Sequence, residues 1–304
     1  MRLKPDNILS LPARPVPYAV LGSPINHSLS PVMQQAAFDQ LGLEARYFRI
    51  EVDEEGLAKA VTRLRQVPFG GWNCTVPNKV KMVELCDRRA ESAEQFGAVN
   101  TVTNEKGVLV GHNTDGTGWS RAMREAFGRG PDEMRIVLLG SGGAGRAIAT
   151  QAILEKCPEL VVANRNPARA RDMLAHLNAQ FADGPLARTA QNLRMIRWED
   201  EALEKALREA DVVVNATSAG LDPKAAPVLQ ARMIPGNLLV FDSVYGAGCA
   251  KFRQEVETAG ATWSDGLGML LHQGAAAFSL WTGQTAPVEI MRRALLSNLP
   301  VPTK

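Results

Sequence analysis

The chain has 304 residues, of which 45% are hydrophobic and 22% are charged, and its formal net charge is +2. A single hydrophobic core rarely grows beyond about 250–300 residues, so this length favours two domains. The charge is nearly balanced and forms no run of one sign, which gives no support to nucleic acid or a membrane surface as a partner.

The cysteines, the histidines and the N-terminal residues narrow the class of protein further. The four cysteines are scattered without CxxC spacing, which predicts reduced thiols and neither a disulfide framework nor a zinc site. The four histidines lie far apart, so no metal is expected. The proline-broken start has no apolar segment of signal-peptide length, and no apolar run approaches about 18 residues. We therefore expect a cytoplasmic protein without a membrane span.

The first part of the chain alternates between short apolar runs and helical patterns. The stretches "PYAVLG", "ARYFRIEV" and "FGGWNCTVP" predict strands, because they are short and apolar or alternating. Helices are predicted at "SPVMQQAAFDQLGL" and "EEGLAKAVTRLRQV", where apolar residues recur at helical spacing. This βαβαβ order is typical of an α/β domain with a mostly parallel sheet.

A second alternation begins after about Gly130. Strands are predicted at "RIVLLG", "ELVVANR", "ADVVVNATSAG" and "NLLVFDSVY", and helices at "SGGAGRAIATQAILEK" and "ARARDMLAHLNAQF". Residues 182–197 are predicted as a loop with a short strand at its end. The closing stretch predicts two amphipathic helices broken at Gly283, and "GHNTDGTGWSRAMREAF" predicts a hinge that runs into a helix.

Three glycines after "RIVLL" have the spacing GxGxxG, at Gly140, Gly142 and Gly145. This spacing permits a tight turn, close approach of the backbone to a pyrophosphate, and close packing of the next helix, whose N-terminus attracts phosphates. The motif alone is weak evidence, but the flanking strands and helix fall where a dinucleotide fold needs them. The sequence therefore predicts dinucleotide binding, with a purely structural glycine turn as the alternative.

The end of the next strand, "ELVVANRNPARAR", indicates which dinucleotide. An NAD-binding fold usually has an acidic residue about 20 positions after the glycines, which bonds the ribose 2′-hydroxyl. This chain has Asn164 and Arg165 there, with Arg169 one helical turn later. Guanidinium groups pair with a 2′-phosphate, whereas a carboxylate would repel it. NADP(H) is therefore favoured, and a solvated basic helix start is the alternative.

Small polar residues cluster beside the predicted turns of the first half. They come from "GSPINHSLSP", "GGWNCTVPNK", "GAVNTV" and "GHNTDGTG", and are Ser28, Ser30, Asn73, Thr75, Lys79, Asn100 and Asp115. Ligands of open α/β sheets gather at the carboxyl ends of the strands, where these residues are predicted to lie. Hydroxyls, amides and one charged pair suit a small polyhydroxylated substrate. Ser28 and Ser30 could also simply cap the helix that starts near Pro31.

The chain resembles the shikimate dehydrogenase family from about Tyr18 to Gly283. The resemblance rests on "GSPINHSLSP", "NCTVPNK", "GAVNT", "NTDG", "GSGGAGRA", "NATSAG", "DGLGMLLHQ" and "FSLWTG", in this order. It implies an α/β fold of two domains, with C-terminal helices that return to the first. Residues 1–114 and 266–304 would form the substrate-binding and catalytic domain, and residues 115–265 a Rossmann-like NADP-binding domain.

The resemblance also implies roles for individual residues where the motifs match. Lys79 and Asp115 would form the catalytic pair, and the other substrate-binding residues would be Ser28, Ser30, Asn73, Thr75, Asn100, Tyr245 and Gln273. The cofactor-binding residues would be Gly140, Gly142, Gly143, Ala144, Asn164, Arg165, Arg169, Thr217, Gly266 and Met269. The family's usual threonine is Asn166 in this chain, which could still donate a hydrogen bond to phosphate.

The chemistry of ketone reduction independently requires a pair such as Lys79 and Asp115. Hydride transfer to a ring ketone leaves an alkoxide unless a positioned acid supplies a proton. A lysine ammonium against the carbonyl oxygen can stabilise the developing charge and deliver that proton, while a nearby carboxylate orients it. Lys79 could otherwise be a solvated lysine, and Asp115 could only cap the helix after the hinge.

We therefore expect an NADPH-dependent enzyme that reversibly reduces 3-dehydroshikimate to shikimate, on the way to chorismate and the aromatic amino acids. Its partners would be this small substrate and NADP(H), in a monomer or homodimer. A quinate/shikimate dehydrogenase of broader substrate or cofactor use is the nearest alternative. A non-catalytic NADP- or metabolite-binding regulator is another, although a pure binder has no need of a proton donor.

Overall fold

The computed structural model describes residues 1–217, 219 and 226–299. The chain forms two compact units, of which unit 1 comprises Met1–Gly118 and Leu270–Leu299, and unit 2 comprises Trp119–Met269. It passes from one unit to the other within helices α5 (Asp115–Phe127) and α11 (Leu267–Thr282). The assignment of substrate to one unit and cofactor to the other stays a prediction at this point.

Unit 1 contains a seven-stranded mixed sheet. Its strands are β1 (Arg2–Leu3), β2 (Val16–Gly22), β3 (Ala45–Glu51), β4 (Gly71–Cys74), β5 (Arg88–Arg89), β6 (Thr101–Glu105) and β7 (Val108–His112). The order in the sheet is β1-β3-β2-β4-β6-β7-β5. Strand β6 is antiparallel to both of its neighbours, and the other pairs are parallel. The predicted βαβαβ segment therefore forms the parallel half of this sheet.

The hairpin of β6 and β7 was not predicted from the sequence. Its turn has positive φ at both central residues, 56° at Lys106 and 97° at Gly107, which is the geometry that matches the twist of two hairpin strands. The signal was present in the alternation of "TVTNEKGVLV" around a glycine. The polar motifs on either side of it, "GAVNTV" and "GHNTDGTG", indicate a site and a hinge instead.

The helices of unit 1 cover its sheet. They are α1 (Ser30–Gln40), α2 (Glu54–Arg65), α3 (Lys81–Leu85), α4 (Glu91–Phe96), α12 (Val288–Leu296) and the parts of α5 and α11 that belong to this unit. Helix α2 begins where the Asp53 carboxylate accepts a hydrogen bond from the Gly56 N–H at 2.8 Å, which satisfies one free donor of the first turn. It buries Leu57, Ala60, Val61 and Leu64, which share one helical face.

The C-terminal helices return to unit 1, as the family resemblance implied. On α11, Phe278 packs on Phe38 of α1 with ring centroids 5.2 Å apart, and Trp281 lies 5.2 Å from Tyr18 of β2. Helix α11 ends before Gly283, whose φ of +67° suits a residue without a side chain. The predicted break between the two helices is confirmed.

Unit 2 contains a six-stranded parallel sheet. Its strands are β8 (Arg135–Leu139), β9 (Glu159–Ala163), β10 (Leu193–Ile196), β11 (Val212–Asn215), β12 (Leu239–Asp242) and β13 (Thr262–Ser264), in the order β10-β9-β8-β11-β12-β13. Its helices are α6 (Gly143–Leu154), α7 (Pro167–Gln180), α8 (Ala187–Gln191), α9 (Asp200–Glu209), α10 (Ala250–Thr258) and the remainders of α5 and α11. This is a Rossmann-like arrangement.

The sheet of unit 2 is buried on both faces, as its uninterrupted apolar strands predict. In β8, Ile136 and Leu138 join the core on one face, while Val137 and Leu139 join the core on the other. The region 182–197 contains the short strand that was predicted, β10, and also the helix α8, which was not. In the part of the chain that the structure describes, no helix combines the length and hydropathy needed to cross a membrane.

A buried carboxyl group lies at the carboxyl end of β12 in unit 2. Asp242 is 1% exposed, and its Oδ1 accepts hydrogen bonds from Asn215 Nδ2 at 2.8 Å and from the Val244 N–H at 3.0 Å. Its Oδ2 has no hydrogen-bond partner among the described residues. Burial, reinforced by the charge of Asp265, raises the pKa of Asp242 from 3.8 to about 7.

This raised pKa predicts a pH-dependent contribution to stability. The folded chain binds the proton more tightly than the unfolded chain, so the contribution is complete below about pH 4 and is lost as pH rises through about 7. The asparagine of Asp242→Asn is uncharged at every pH, whereas the carboxyl of the parent ionises as pH rises. The Tm of the variant should therefore increase relative to the Tm of the parent from about pH 5 to about pH 8. Thermal unfolding monitored by circular dichroism measures this difference. A difference that stays constant over the range would contradict the prediction.

Candidate active site

Three chain segments meet at one end of the unit 1 sheet. Strands β4 and β7 end there, and the antiparallel β6 begins there, with Asn73 in register with Thr101 and Thr101 in register with His112. The motifs "NCTVPNK", "GAVNT" and "NTDG" are thereby brought together although they are separated in the sequence. This is the end of the sheet at which ligands of open α/β folds bind.

The structure joins Lys79 and Asp115 directly. Lys79 Nζ donates to Asp115 Oδ2 at 2.6 Å, across 36 positions of the chain. The lysine side chain is 21% exposed and the aspartate side chain 8%. Asp115 is the first residue of α5, where the helix dipole favours a negative charge. The pair is thus a largely desolvated ion pair that solvent reaches from the lysine side.

The loop that carries Lys79 is held by its neighbour. Asn78 is fully buried, and its Nδ2 donates to the main-chain oxygen of Val52 at 2.8 Å. The main-chain oxygen of Lys79 accepts the N–H of Val99 at 2.8 Å. On the other side, Asn113 Oδ1 accepts the Asp115 N–H at 3.0 Å. Both members of the ion pair are therefore fixed by buried amide groups.

Asn100 connects the ion pair to the rest of the site. Its Nδ2 donates to Asp115 Oδ1 and to Thr114 Oγ1, each at 2.9 Å. Its Oδ1 accepts the Thr114 N–H at 2.9 Å and the Thr101 hydroxyl at 3.0 Å. Gln273 of α11 lies at the edge of this group, with Oε1 3.4 Å from Asn100 Nδ2. All four hydrogen-bonding positions of the Asn100 amide are thus used.

Asn73 is also engaged by protein groups. Its Nδ2 donates to Thr101 Oγ1 at 3.0 Å and to the main-chain oxygen of Asn100 at 3.2 Å. Its Oδ1 accepts the hydroxyl of Tyr47, on β3, at 2.6 Å. Its neighbour Cys74 is buried, and burial raises the pKa of that thiol well above its usual value. Cys74 therefore remains a neutral thiol beside the site.

The two serines lie on the loop between β2 and α1. Ser28 Oγ accepts the Ser30 N–H at 3.3 Å, so Ser28 does help to start helix α1, which begins at Ser30. The guanidinium of Arg49 donates to the main-chain oxygen of Ser28, from Nε at 3.0 Å and from Nη2 at 2.6 Å. Thr75, on the loop after β4, is half-buried. None of these three polar residues is hydrogen-bonded to the Lys79–Asp115 group in the part of the chain described.

The glycine turn of unit 2 has room for a phosphate group. Gly140 has a φ of +102°, and a Cβ at Gly145 would lie 2.3 Å from the main-chain oxygen of Gly140. These two glycines are therefore needed by the turn itself. A Cβ at Gly142 or Gly143 would meet nothing within 4 Å, and both lie at the N-terminus of α6. Open space before free N–H groups fits the pyrophosphate of a dinucleotide.

The end of β9 carries the residues that were predicted to select NADP(H). Arg165 and Arg169 are exposed, and neither guanidinium forms an ion pair with a carboxylate among the described residues. Asn164 Nδ2 donates to the hydroxyl of Ser141 in the glycine turn. Asn166 caps α7, because its Oδ1 accepts the Ala168 N–H at 3.0 Å. Two cations without a carboxylate partner in the described part of the chain fit a 2′-phosphate, and Asn166 serves the helix start.

Most of the remaining predicted residues lie after the carboxyl ends of β11, β12 and β13, and Ala144 lies after β8. Thr217 Oγ1 donates to Asn215 Oδ1 at 2.7 Å, while Ser218 of the same loop lies outside the described residues. Tyr245 follows β12 and is half-buried. At Gly266 the main chain lies so close to Ser243 that a Cβ on this glycine would be 2.2 Å from the main-chain oxygen of Ser243. Ala144 lies in the first turn of α6 and Met269 in the first turn of α11.

Sequence reasoning missed several residues that hold the site. Tyr47, Thr101 and Thr114 bond the predicted asparagines, and Arg49 holds the Ser28 loop. Thr101 and Thr114 belong to quoted motifs and could have been named. Tyr47 and Arg49 carry only a weak signal, as polar residues two apart that share one face of a buried strand.

Family models match three segments of the chain. A shikimate dehydrogenase substrate-binding domain matches residues 20–102, a shikimate/quinate 5-dehydrogenase model matches residues 123–234, and a shikimate 5′-dehydrogenase C-terminal domain matches residues 266–296. The NADP⁺-dependent shikimate dehydrogenase of Methanopyrus kandleri is 40% identical over 282 residues, which cover 92% of this chain and 94% of that one.

Solved structures of shikimate and quinate dehydrogenases have a similar fold. The shikimate 5-dehydrogenase of Thermus thermophilus, in complex with NADP(H) and shikimate, has a TM-score of 0.79 and 37% identity, over 93% of this chain and 100% of that one. The quinate dehydrogenase of Corynebacterium glutamicum, in complex with NAD, has a TM-score of 0.80 and 28% identity, over 93% and 99%. Both folds thus match nearly the whole chain.

Proposed function

The chain belongs to the shikimate/quinate 5-dehydrogenase family, and from that premise we propose that Lys79 and Asp115 perform its proton transfer. It is an NADP-dependent oxidoreductase that interconverts 3-dehydroshikimate and shikimate, a step in the biosynthesis of chorismate and the aromatic amino acids. The observation that supports the proposed pair is the 2.6 Å contact between Lys79 Nζ and Asp115 Oδ2.

Lys79 is the proton donor in the direction of reduction. When bound, NADPH supplies the hydride that reduces the ring ketone. The Lys79 ammonium donates a hydrogen bond to the ketone oxygen and gives up a proton as negative charge develops there. Because the lysine side chain is 21% exposed, solvent can return the proton to the amine. In the direction of oxidation the neutral amine accepts the hydroxyl proton.

Asp115 orients the lysine and holds its positive charge in place. Each carboxylate oxygen has a different partner: Oδ2 accepts a hydrogen bond from Lys79, and Oδ1 accepts one from Asn100. The fixed geometry reduces the reorganisation needed when charge develops on the substrate oxygen. The remaining lone pairs of this carboxylate can accept a substrate hydroxyl.

The other predicted residues complete the proposed substrate site. Ser28 and Ser30 bind the substrate carboxylate, with the charge of Arg49 beside Ser28 as support. Asn73, Thr75, Tyr245 and Gln273 bind the ring and its hydroxyls, and Asn100 supports them by fixing Asp115 and Thr101. The cytoplasmic location and the monomeric or homodimeric state predicted from the sequence are part of this proposal.

The proposed cofactor site in unit 2 consists of the open glycine turn and two arginines that have no carboxylate partner among the described residues. Gly142, Gly143 and Ala144 take the pyrophosphate at the N-terminus of α6, and Arg165 and Arg169 take the 2′-phosphate. Asn164, Thr217, Gly266 and Met269 surround the rest of the dinucleotide. Asn164 and Arg165 follow β9 where an NAD-binding fold usually has an acidic residue, and this favours NADP(H) over NAD(H).

Steady-state rates with four combinations test the proposed function. Shikimate and quinate are each paired with NADP⁺ and NAD⁺, and we expect the highest kcat/KM with shikimate and NADP⁺. A preference for quinate with NAD⁺ would instead indicate a quinate dehydrogenase, which is what the similar Corynebacterium protein is named. Binding of shikimate without turnover in any combination would indicate a regulator.

The same assay tests the cofactor site through an arginine variant. Arg165→Ala should raise KM for NADP⁺ by about 10- to 100-fold, because it removes a charge-assisted contact, and should leave KM for NAD⁺ nearly unchanged. Arg171→Ala is the matched control, since Arg171 is an exposed arginine of α7, the helix that follows Arg165. An equal effect of the two variants on NADP⁺ would argue against the assigned role of Arg165.

A further inference from the structure

A chain of hydrogen bonds leads from a buried tyrosine to the proposed catalytic pair. Tyr47 is 1% exposed and donates its hydroxyl proton to Asn73 Oδ1 at 2.6 Å. From Asn73 the chain continues through Thr101 to Asn100 and ends at Asp115, with contacts of 3.0, 3.0 and 2.9 Å. The proposed reaction assigns no step to Tyr47.

The orientation of each amide in this chain is fixed by main-chain groups. Asn73 Nδ2 faces the main-chain oxygen of Asn100, which can only accept, at 3.2 Å. Asn100 Oδ1 faces the N–H of Thr114, which can only donate, at 2.9 Å. Neither amide can therefore be reversed without placing like groups together. The hydroxyl of Tyr47 meets an oxygen of Asn73 and must donate to it.

This arrangement limits what Asn73 offers to a ligand. Both protons of its Nδ2 are used, by Thr101 and by the main-chain oxygen of Asn100. Of the two lone pairs on Oδ1, Tyr47 occupies one. A single acceptor position remains, and it suits a hydroxyl. A ring carbonyl at this position would place its oxygen against Asn73 Oδ1, and two acceptors cannot form a hydrogen bond. A carbonyl that faces Lys79 would instead meet a donor.

We propose that Tyr47 is a positioning residue that acts through Asn73, so that the site accepts a hydroxyl at one ring position and reserves the carbonyl for Lys79. The inference rests on the proposed function and adds a determinant of which ring oxygen reacts. Burial raises the pKa of Tyr47 well above its usual value, so the hydroxyl keeps its proton over the working range of pH. The donor that restrains Asn73 is therefore permanent.

Tyr47→Phe removes this donor and keeps the ring, which packs 6.0 Å from Trp281. We expect KM for shikimate to rise about tenfold, the effect of one lost buried hydrogen bond, while kcat changes less than about threefold. Tyr18→Phe is the matched control. Tyr18 is the register partner of Tyr47, is buried, and lies 5.2 Å from the same tryptophan. Its hydroxyl is not part of the chain, so KM should be unchanged.

Substrate analogues distinguish positioning from general loss of packing. Shikimate has two ring hydroxyls that do not react, and two deoxy analogues each lack one of them. The KM penalty of Tyr47→Phe should persist with one analogue and disappear with the analogue that lacks the hydroxyl read by Asn73. An equal penalty with shikimate and both analogues would overturn the inference, and so would no penalty with shikimate.

A second variant keeps the test decisive if Tyr47→Phe does not fold. Thr101→Val interrupts the chain at its middle link and keeps the shape of the side chain, and Thr101→Ser restores the hydroxyl. We expect a KM increase in the valine variant that the serine variant largely reverses, and equal kinetics in the two would overturn the inference. If the parent protein turns over shikimate and these variants match it, only the inference fails. No turnover by the parent would overturn the proposed function as well.

Discussion

Lys79→Met is expected to lower kcat for the reduction of 3-dehydroshikimate by about 10²- to 10⁴-fold, the usual contribution of a positioned general acid. Methionine keeps the length of the side chain and removes the ammonium that contacts Asp115 at 2.6 Å. KM for the substrate should change much less, because the lost interaction matters mainly in the transition state. Steady-state kinetics with NADPH measure both constants.

Lys81→Met provides the control for this substitution. Lys81 lies two positions later in the same segment and pairs at the surface with Glu84, three positions further on. An exposed pair of this kind contributes little to stability or activity, so kcat should remain within about twofold of the parent. If Lys79→Met retained the parent's kcat, Lys79 would not be the proton donor.

Asp115→Asn is expected to lower kcat by about 10²-fold or more, because an amide cannot replace both oxygens of the carboxylate. Asp115 accepts from Lys79 with one oxygen and from Asn100 Nδ2 with the other. If the new amide turns its oxygen to Lys79, its nitrogen meets the nitrogen of Asn100. If it turns the other way, two donors meet at Lys79. Either arrangement displaces the ammonium from its position.

Asp87→Asn is the matched control for Asp115→Asn. Asp87 is also an ion-paired aspartate of unit 1 and accepts two hydrogen bonds from Arg65, at 2.8 and 3.0 Å, away from the site. Its substitution should lower Tm slightly and leave kcat unchanged. The same loss of kcat in both variants, with the same loss of Tm, would mean that Asp115 acts through stability and not through Lys79.

Local sequence patterns predicted the structure correctly where an element depends only on residues close to it in the chain. The apolar strand "RIVLL" and the glycines after it are adjacent in the chain, so their geometry follows from short-range sterics. The two C-terminal helices were also predicted from local features, namely their apolar periodicity and the glycine between them. The hairpin of β6 and β7 was missed because its strands contain the site motifs, and their polar residues obscured the alternation.

The sequence by itself determined the family, the glycine turn, the basic end of β9 and the residue types of the site. It did not determine how those residues are connected. The tertiary structure alone decided that β4, β6 and β7 end together, which places Lys79 against Asp115 across 36 positions. It also decided the orientation of the two asparagine amides, because the main-chain groups that fix them lie just before β6 and just before α5. Tyr47 acquires its role only there, since a tyrosine within a strand gives no indication of which oxygen its hydroxyl will meet.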